Sequence, residues 1–205
     1  SYTVSKATYQ YKGTATSGKD VYYYYYIPET LRSVTITGPG NIFVGAFRNC
    51  GNLTEVTIGN AVKGIGDEAF RGCTGLRKIT IPFVGNSIDG QGSTHFGCIF
   101  GAVRADGNKT WVTSALKEVI ITGGSEIDSS AFSNCKNLES ITLPGSVTHV
   151  NKDAFYNCTG LVRVNYVGEV DQWVQIAFSN YSSNPLYYAK KLYINNELVE
   201  DVNIT

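Results

Sequence analysis

Residues 65 to 82 read Ile65-Gly-Asp-Glu-Ala-Phe-Arg-Gly-Cys-Thr-Gly-Leu-Arg-Lys-Ile-Thr-Ile-Pro82: an Ala-Phe pair, a cysteine three residues after the phenylalanine, then Leu-x-x-Ile-x-Ile. Variants of this unit recur. Leu31, Leu53 and Leu76 open such segments 22 and 23 residues apart, and Leu116, Leu138 and Leu161 repeat the spacing. A longer period lies above the first. Leu31 to Leu116, Phe47 to Phe132, Cys50 to Cys135, Phe70 to Phe155, Cys73 to Cys158 and Leu76 to Leu161 are all 85 residues apart, so the larger unit is a duplicated block of three repeats.

A period in the low twenties lies in the range of leucine-rich repeats. In Leu116-Lys-Glu-Val-Ile-Ile121, Val119 and Ile121 point inward and Glu118 and Ile120 outward, because strand side chains alternate. Thr122 to Ser125 turns the chain, and Ile127 with Ala131-Phe132 returns apolar side chains to the interior. Asp67-Glu-Ala-Phe, Asp128-Ser-Ser-Ala-Phe and Lys152-Asp-Ala-Phe predict short helical or 3₁₀ turns with a polar start. No unit buries its own apolar side, so the units stack. Stacking predicts ladders of Leu/Ile/Val, of Phe and of Cys. The fold expected is a leucine-rich-repeat solenoid, with a parallel β-sheet on one face and short turns and loops on the other.

The chain reads as one domain over 1–205, with repeats at 31–82 and 116–166. A polar, tyrosine-rich segment (1–30, with Tyr22 to Tyr26 consecutive) precedes them and looks like the tail of an insertion. Insertions at 83–115 and 167–198 break the rhythm, and 199–205 has strand spacing again, as the start of a further repeat. The absence of Met predicts a processed or excised piece of a longer protein.

Composition removes several function classes. Charged residues are 17%, against a usual quarter or so, and Lys+Arg and Asp+Glu are both 17, so net charge is zero and no basic stripe suggests nucleic acid. No apolar run approaches the ~20 residues of a membrane helix. Cys50, Cys73, Cys135 and Cys158 occupy one repeat position and are expected to be buried free thiols, while Cys98 lies outside the repeat frame and has no evident mate. There is no C-x-x-C, and His95 and His149 are far from any Cys pair, so no metal site is expected. His95 near Asp89 and Ser93 is the nearest approach to a catalytic set, but no nucleophile elbow or phosphate loop accompanies it. No catalytic residue, no cofactor and no enzyme activity are expected. Of five N-x-[ST] sequons, the one at Asn108, in its loop, is the expected acceptor in a glycosylating host.

The unit IGDEAFRGCTGLRKITIP, returning as VNKDAFYNCTGLVRV, resembles the BspA-like leucine-rich repeats of bacterial surface proteins and some protists. The insertions resemble those of clostridial-type members: IPFVGNS with THFG and IFGA, and SNPLYYAKKLYIN. Departures are Gly40 to Phe47, which lacks the acidic turn before Ala-Phe, and Asn196, where the family often has Gly. The resemblance implies a right-handed curved solenoid, an extracellular or surface-attached setting, and adhesion or partner binding.

The outward strand positions form two files. Ser33, Glu55, Lys78, Glu118, Ser140 and Arg163 make one; Thr35, Thr57, Thr80, Ile120, Thr142 and Asn165 make the other. Glu55, Thr57, Lys78, Thr80, Glu118, Ile120, Ser140 and Thr142 are the candidate binding residues, for a protein or glycan ligand. The opposing reading is that Thr simply favours strands and packs against Thr. Tyr181, Tyr187 and Tyr188, with Tyr22 to Tyr26, are either interface rings or covers for the ends and flanks of the solenoid. The module is expected to bind a partner; the alternative is a spacer or docking arm of a larger secreted protein.

Overall fold

A leucine followed by two alternating β-branched residues puts three apolar side chains on one side of a short strand, and one strand alone cannot bury them. The computed structural model describes residues 8–14, 20–26, 30–90 and 92–200, and shows how stacking solves this. Strands β1 (Thr8–Thr14) and β2 (Asp20–Tyr26) form a separate antiparallel pair. The side chains of that pair, and so the placing of Tyr22 to Tyr26, lie outside what is described.

The remaining strands build the coil. They are β3 (Ser33–Ile36), β4 (Gly40–Ile42), β5 (Glu55–Ile58), β6 (Val62–Ile65), β7 (Lys78–Ile81), β8 (Glu118–Ile121) and β9 (Glu126–Ile127), then β10 (Ser140–Pro144), β11 (His149–Val150), β12 (Arg163–Val167), β13 (Ala177–Phe178), β14 (Leu192–Ile194) and β15 (Glu197–Leu198). The main sheet runs β15-β14-β12-β10-β8-β7-β5-β3. From β3 to β14 every neighbour is parallel, and Val34, Val56, Ile79, Val119, Ile141, Val164 and Leu192 align as one inward row. The leucines at the heads of the strands join the same core.

The far side is more regular than the loops expected there. Ile42 pairs with Ile65 in β4–β6, and Ile127, Val150 and Phe178 align in β9–β11–β13, so apolar residues there stack by strand pairing as well. The Ala-Phe turns are not 3₁₀ helices. Gly45, Glu68, Ser130 and Asp153 before Ala-Phe are left-handed (φ 67, 60, 59 and 59°), as are Asn49, Gly72, Asn134 and Asn157 before Cys (φ 63, 74, 64 and 60°). A positive φ every fourth residue breaks helical winding. It also lets alternate N–H groups reach the next coil: Phe132 N–H donates to the Ala154 carbonyl at 2.8 Å and Asn134 N–H to the Tyr156 carbonyl at 2.7 Å.

The two long segments are enlarged coils. β7 and β8 are direct sheet neighbours despite the residues between them. Inside 83–115 a 3₁₀ turn, Phe96–Phe100, puts two rings into the phenylalanine ladder. The centroids run Phe47–Phe70 (5.4 Å), Phe70–Phe100 (6.3 Å), Phe100–Phe96 (5.3 Å), Phe96–Phe132 (5.0 Å) and Phe132–Phe155 (5.3 Å). Helix α1 (Asn108–Trp111) closes this coil. The segment 167–198, expected to interrupt the solenoid, continues it. It supplies α2 (Val170–Val174), β13, α3 (Leu186–Ala189) and β14, which pairs in parallel with β12. The next parallel strand is thus β14, ahead of 199–205 where it was expected; residues 201–205 lie outside the described part. β15 then folds back antiparallel on β14 through Asn195 and Asn196, both left-handed (φ 50 and 72°), as a two-residue hairpin turn requires.

Candidate functional site: the outer face of the sheet

Parallel pairing brings the outward residues into the two files the spacing predicts. Ser33, Glu55, Lys78, Glu118, Ser140 and Arg163 are register partners in succession, and so are Thr35, Thr57, Thr80, Ile120, Thr142 and Asn165. The second file has a further member, Tyr193, paired with Asn165. Sequence spacing missed it because β14 falls inside a segment read as an insertion.

The first file is an ion ladder. Lys78 Nζ lies 3.8 Å from Glu55 Oε1 and 3.7 Å from Glu118 Oε1, with the three side chains 37–49% exposed. At that exposure each pair is worth about 0–1 kcal/mol, so the row costs little to rearrange around a partner. At the far end Arg163 is held. Its guanidinium lies 4.0 Å above the Tyr193 ring and donates to Asn196 Oδ1 at 3.0 Å.

The second file is less open than its spacing implies. Thr35 is exposed and Thr57, Thr80 and Ile120 are half-buried, but Thr142 is 8% exposed and Asn165 2%. Thr142 is therefore corrected from a contact residue to a covered one. Adjacent parallel strands stand roughly 4.8 Å apart, so this short side chain is shut in between Ile120 and Asn165. Asn165 in turn accepts the Asn196 N–H at 2.8 Å, under the hairpin. The open face narrows to Glu55, Thr57, Lys78, Thr80, Glu118, Ile120 and Ser140, with Ser33 and Thr35 at its edge.

The residues singled out for chemistry are committed to the fold. His95 is buried, and its Nε2–H donates to the Ala102 carbonyl at 3.0 Å. The Ser87 hydroxyl donates to Asp89. Asn108 is 1% exposed. Its Oδ1 accepts the Gly97 N–H at 2.9 Å, and its Nδ2 donates to the carbonyls of Ala131 (3.1 Å) and Ser133 (3.0 Å). A side chain so used is no glycan acceptor, which corrects the expectation from its sequon. Among the described residues no group of three or more His, Cys, Asp or Glu is placed to hold a metal ion, and no helix is long and apolar enough to cross a membrane.

All five cysteines are free and buried, as the repeat position predicts for Cys50, Cys73, Cys135 and Cys158; Cys98 lies outside that position and is buried as well. Cys73 and Cys158 donate to the carbonyls of Phe47 (3.1 Å) and Phe132 (3.0 Å) one coil back. Burial pushes Cys98 and Cys158 up to about 12, and raises Cys135. The thiolate is the reactive form, so these thiols are inert core groups. The tyrosines divide: Tyr188 packs on the core and its hydroxyl accepts the Asn157 N–H at 2.7 Å, while Tyr181 and Tyr187, 5.0 Å apart, are exposed.

The model of the BspA type leucine rich repeat region matches residues 23–97 and 107–204 in six copies. Three solved structures are similar to the chain. A leucine rich cell surface protein from Faecalibacterium prausnitzii A2-165 is 26% identical, with 85% of this chain and 41% of that one covered and a TM-score of 0.46. A leucine rich repeat protein from T. pallidum is 20% identical over 76% of this chain and 68% of that one, TM-score 0.37. One from Bacteroides ovatus ATCC 8483 is 22% identical over 79% and 46%, TM-score 0.37. The match to the first spans 41% of its length. A search of the curated proteins finds no match.

Proposed function

The chain belongs to the BspA type leucine-rich-repeat family, and from that membership and the geometry of its sheet we propose that it is an extracellular or cell-surface interaction module, binding a protein or glycan partner on the outer sheet face. The observation that carries this reading is the row Glu55–Lys78–Glu118: three charged side chains, aligned by strand register, half in water, and tied to one another only by contacts of 3.7–3.8 Å. Such a row contributes little to folding and is free to exchange its ion pairs for a partner's. The half-buried Thr57, Thr80 and Ile120 beside it add hydroxyl and apolar contact in the mixture that interfaces use. The low charge of the chain suits an extracellular setting.

A second reading, a passive spacer, has its own support: the charges of the row alternate in sign, and with Arg163 in the same file they sum to zero. The test is a binding screen against immobilised extracellular-matrix proteins and glycans, with a Thr57→Arg/Thr80→Arg variant alongside. A partner bound by the native chain and lost by the variant supports the sheet face. Equal binding by both refutes that face as the site, and no binding to any of them favours the spacer.

A further inference from the structure

Two clefts lie where the chain enters the strands. One, of about 160 Å³, is lined by residues of 108–116 and 134–138 with Phe96; the other, of about 450 Å³, by Asn49, residues 70–74, Phe100, 109–114 and Asn137. They share Lys109, Val112, Thr113 and Asn137, and so form one open trough along helix α1 and the turns beside it. Its charge is one-sided. Lys109, Lys136 and Arg71 line it, and no Asp or Glu does. At the other ends of the strands the reverse holds: a cleft of about 300 Å³ is lined by Asp89, Glu126 and Asp128 and by no Lys or Arg. A chain of zero net charge thus carries opposite signs in clefts at the two ends of its strands.

We propose that the trough binds an anionic oligosaccharide. Lys109 and Lys136 are exposed, and neither has an ion-pair partner among the described residues. Both border the smaller cleft, so their charges are available to a carboxylate or sulfate there. Trp111 supplies the flat apolar surface that the CH face of a sugar ring needs. It is 37% exposed; the Arg71 guanidinium, anchored by Glu68 at 2.8 Å, covers one face of the ring at 4.4 Å and fixes it, so a sugar would pack on the exposed remainder. The exposed Asn49 and Asn137 amides offer paired donors and acceptors to sugar hydroxyls. An acidic peptide fits less well. Acidic motifs are taken by clusters of arginines and other peptides add to a sheet edge, whereas one arginine, Arg71, lines this trough, already engaged by Glu68 and Trp111, and no strand residue does. The site is separate from the outer sheet face and does not depend on it.

The test is calorimetric titration of the 205-residue chain with four probes: an oligogalacturonate hexamer, a heparin-derived hexasaccharide, cellohexaose and hexaglutamate. Binding of either acidic sugar, with none of cellohexaose, is expected; which one binds separates carboxylate from sulfate recognition. Lys109→Ala and Lys136→Ala each weaken it about tenfold, and added salt weakens it further. Trp111→Ala removes it while Trp111→Phe retains part. The Thr57→Arg/Thr80→Arg variant binds as the native chain does, which keeps this result independent of the sheet face. Failure of both acidic sugars to bind, undiminished binding by a Lys109→Ala/Lys136→Ala double variant that melts like the native chain, or equal binding of hexaglutamate overturns the proposal.

Discussion

Replacing Asn108 by Ala tests how the enlarged coil at 83–115 is tied to its neighbour. The amide is 1% exposed and makes three hydrogen bonds, at 2.9, 3.1 and 3.0 Å, to Gly97, Ala131 and Ser133. The Ala131 carbonyl keeps the Phe96 N–H at 2.8 Å, so the groups that lose this partner are the Gly97 N–H and the Ser133 carbonyl. A buried polar group left without a partner costs about 1–3 kcal/mol, giving a loss of about 2–6 kcal/mol for the pair. The urea m-value grows with chain size and is about 3 kcal/mol/M at the upper end of the small-protein range, so the unfolding midpoint falls by about 0.7–2 M. Tryptophan fluorescence is a suitable probe, because Trp111 lies in the same short helix. Asn108→Asp adds a pH signature. One carboxylate oxygen keeps the Gly97 N–H, while the other faces two carbonyls, which raises its folded pKa above the usual value of about 3.9. The penalty is therefore complete above the folded pKa and recedes as pH falls toward the unfolded one. A midpoint shift below about 0.3 M for Asn108→Ala, against the m-value above, would refute the account of this side chain as the tie between coils.

Phe155→Ala, at a fully buried ring stacked on Phe132, costs about 3–5 kcal/mol in denaturant melts; under about 1 kcal/mol contradicts the ladder. A thiol reagent at pH 8 labels none of Cys98, Cys135 and Cys158 in the native chain and all of them in guanidinium, since burial raises all three; rapid native labelling contradicts this. Asp153 accepts hydrogen bonds from Ser182 (2.6 Å) and Asn180 (2.8 Å), which hold its carboxyl below the usual range. Its contribution to stability is present above about pH 4 and is lost as pH falls below that, and thermal melts of Asp153→Asn show the acid-side slope reduced.

Much of the fold is legible in the repeat itself. Alternation in Leu116 to Ile121 identifies which side chains turn inward, and Val56, Ile79, Val119, Ile141 and Val164 are all fully buried in one row. The cysteine position is legible for the same reason. The excursions are not. Phe96 and Phe100 lie outside the repeat frame, yet they fill the gap between Phe70 and Phe132 because an apolar ladder left open there would leave those rings without neighbours. β14 escaped notice because the coil before it carries two helices and a 3₁₀ turn, which stretch its spacing beyond the period of the others.

The sequence by itself determined the coil, its period, its inward row and the two outward files, because all of these follow from alternation along a few residues and from the repetition of that pattern. Only the tertiary structure decided which outward residues are open. Thr57, Thr80 and Thr142 are chemically identical members of one file, but Thr142 is closed by Ile120 beside it and by Asn165, itself held under a hairpin. Asn108 likewise reads as a loop amide until the neighbouring coil supplies two carbonyls from 23 and 25 residues away. Accessibility and hydrogen-bond partnership are set across coils, by atoms that local spacing along the chain does not name.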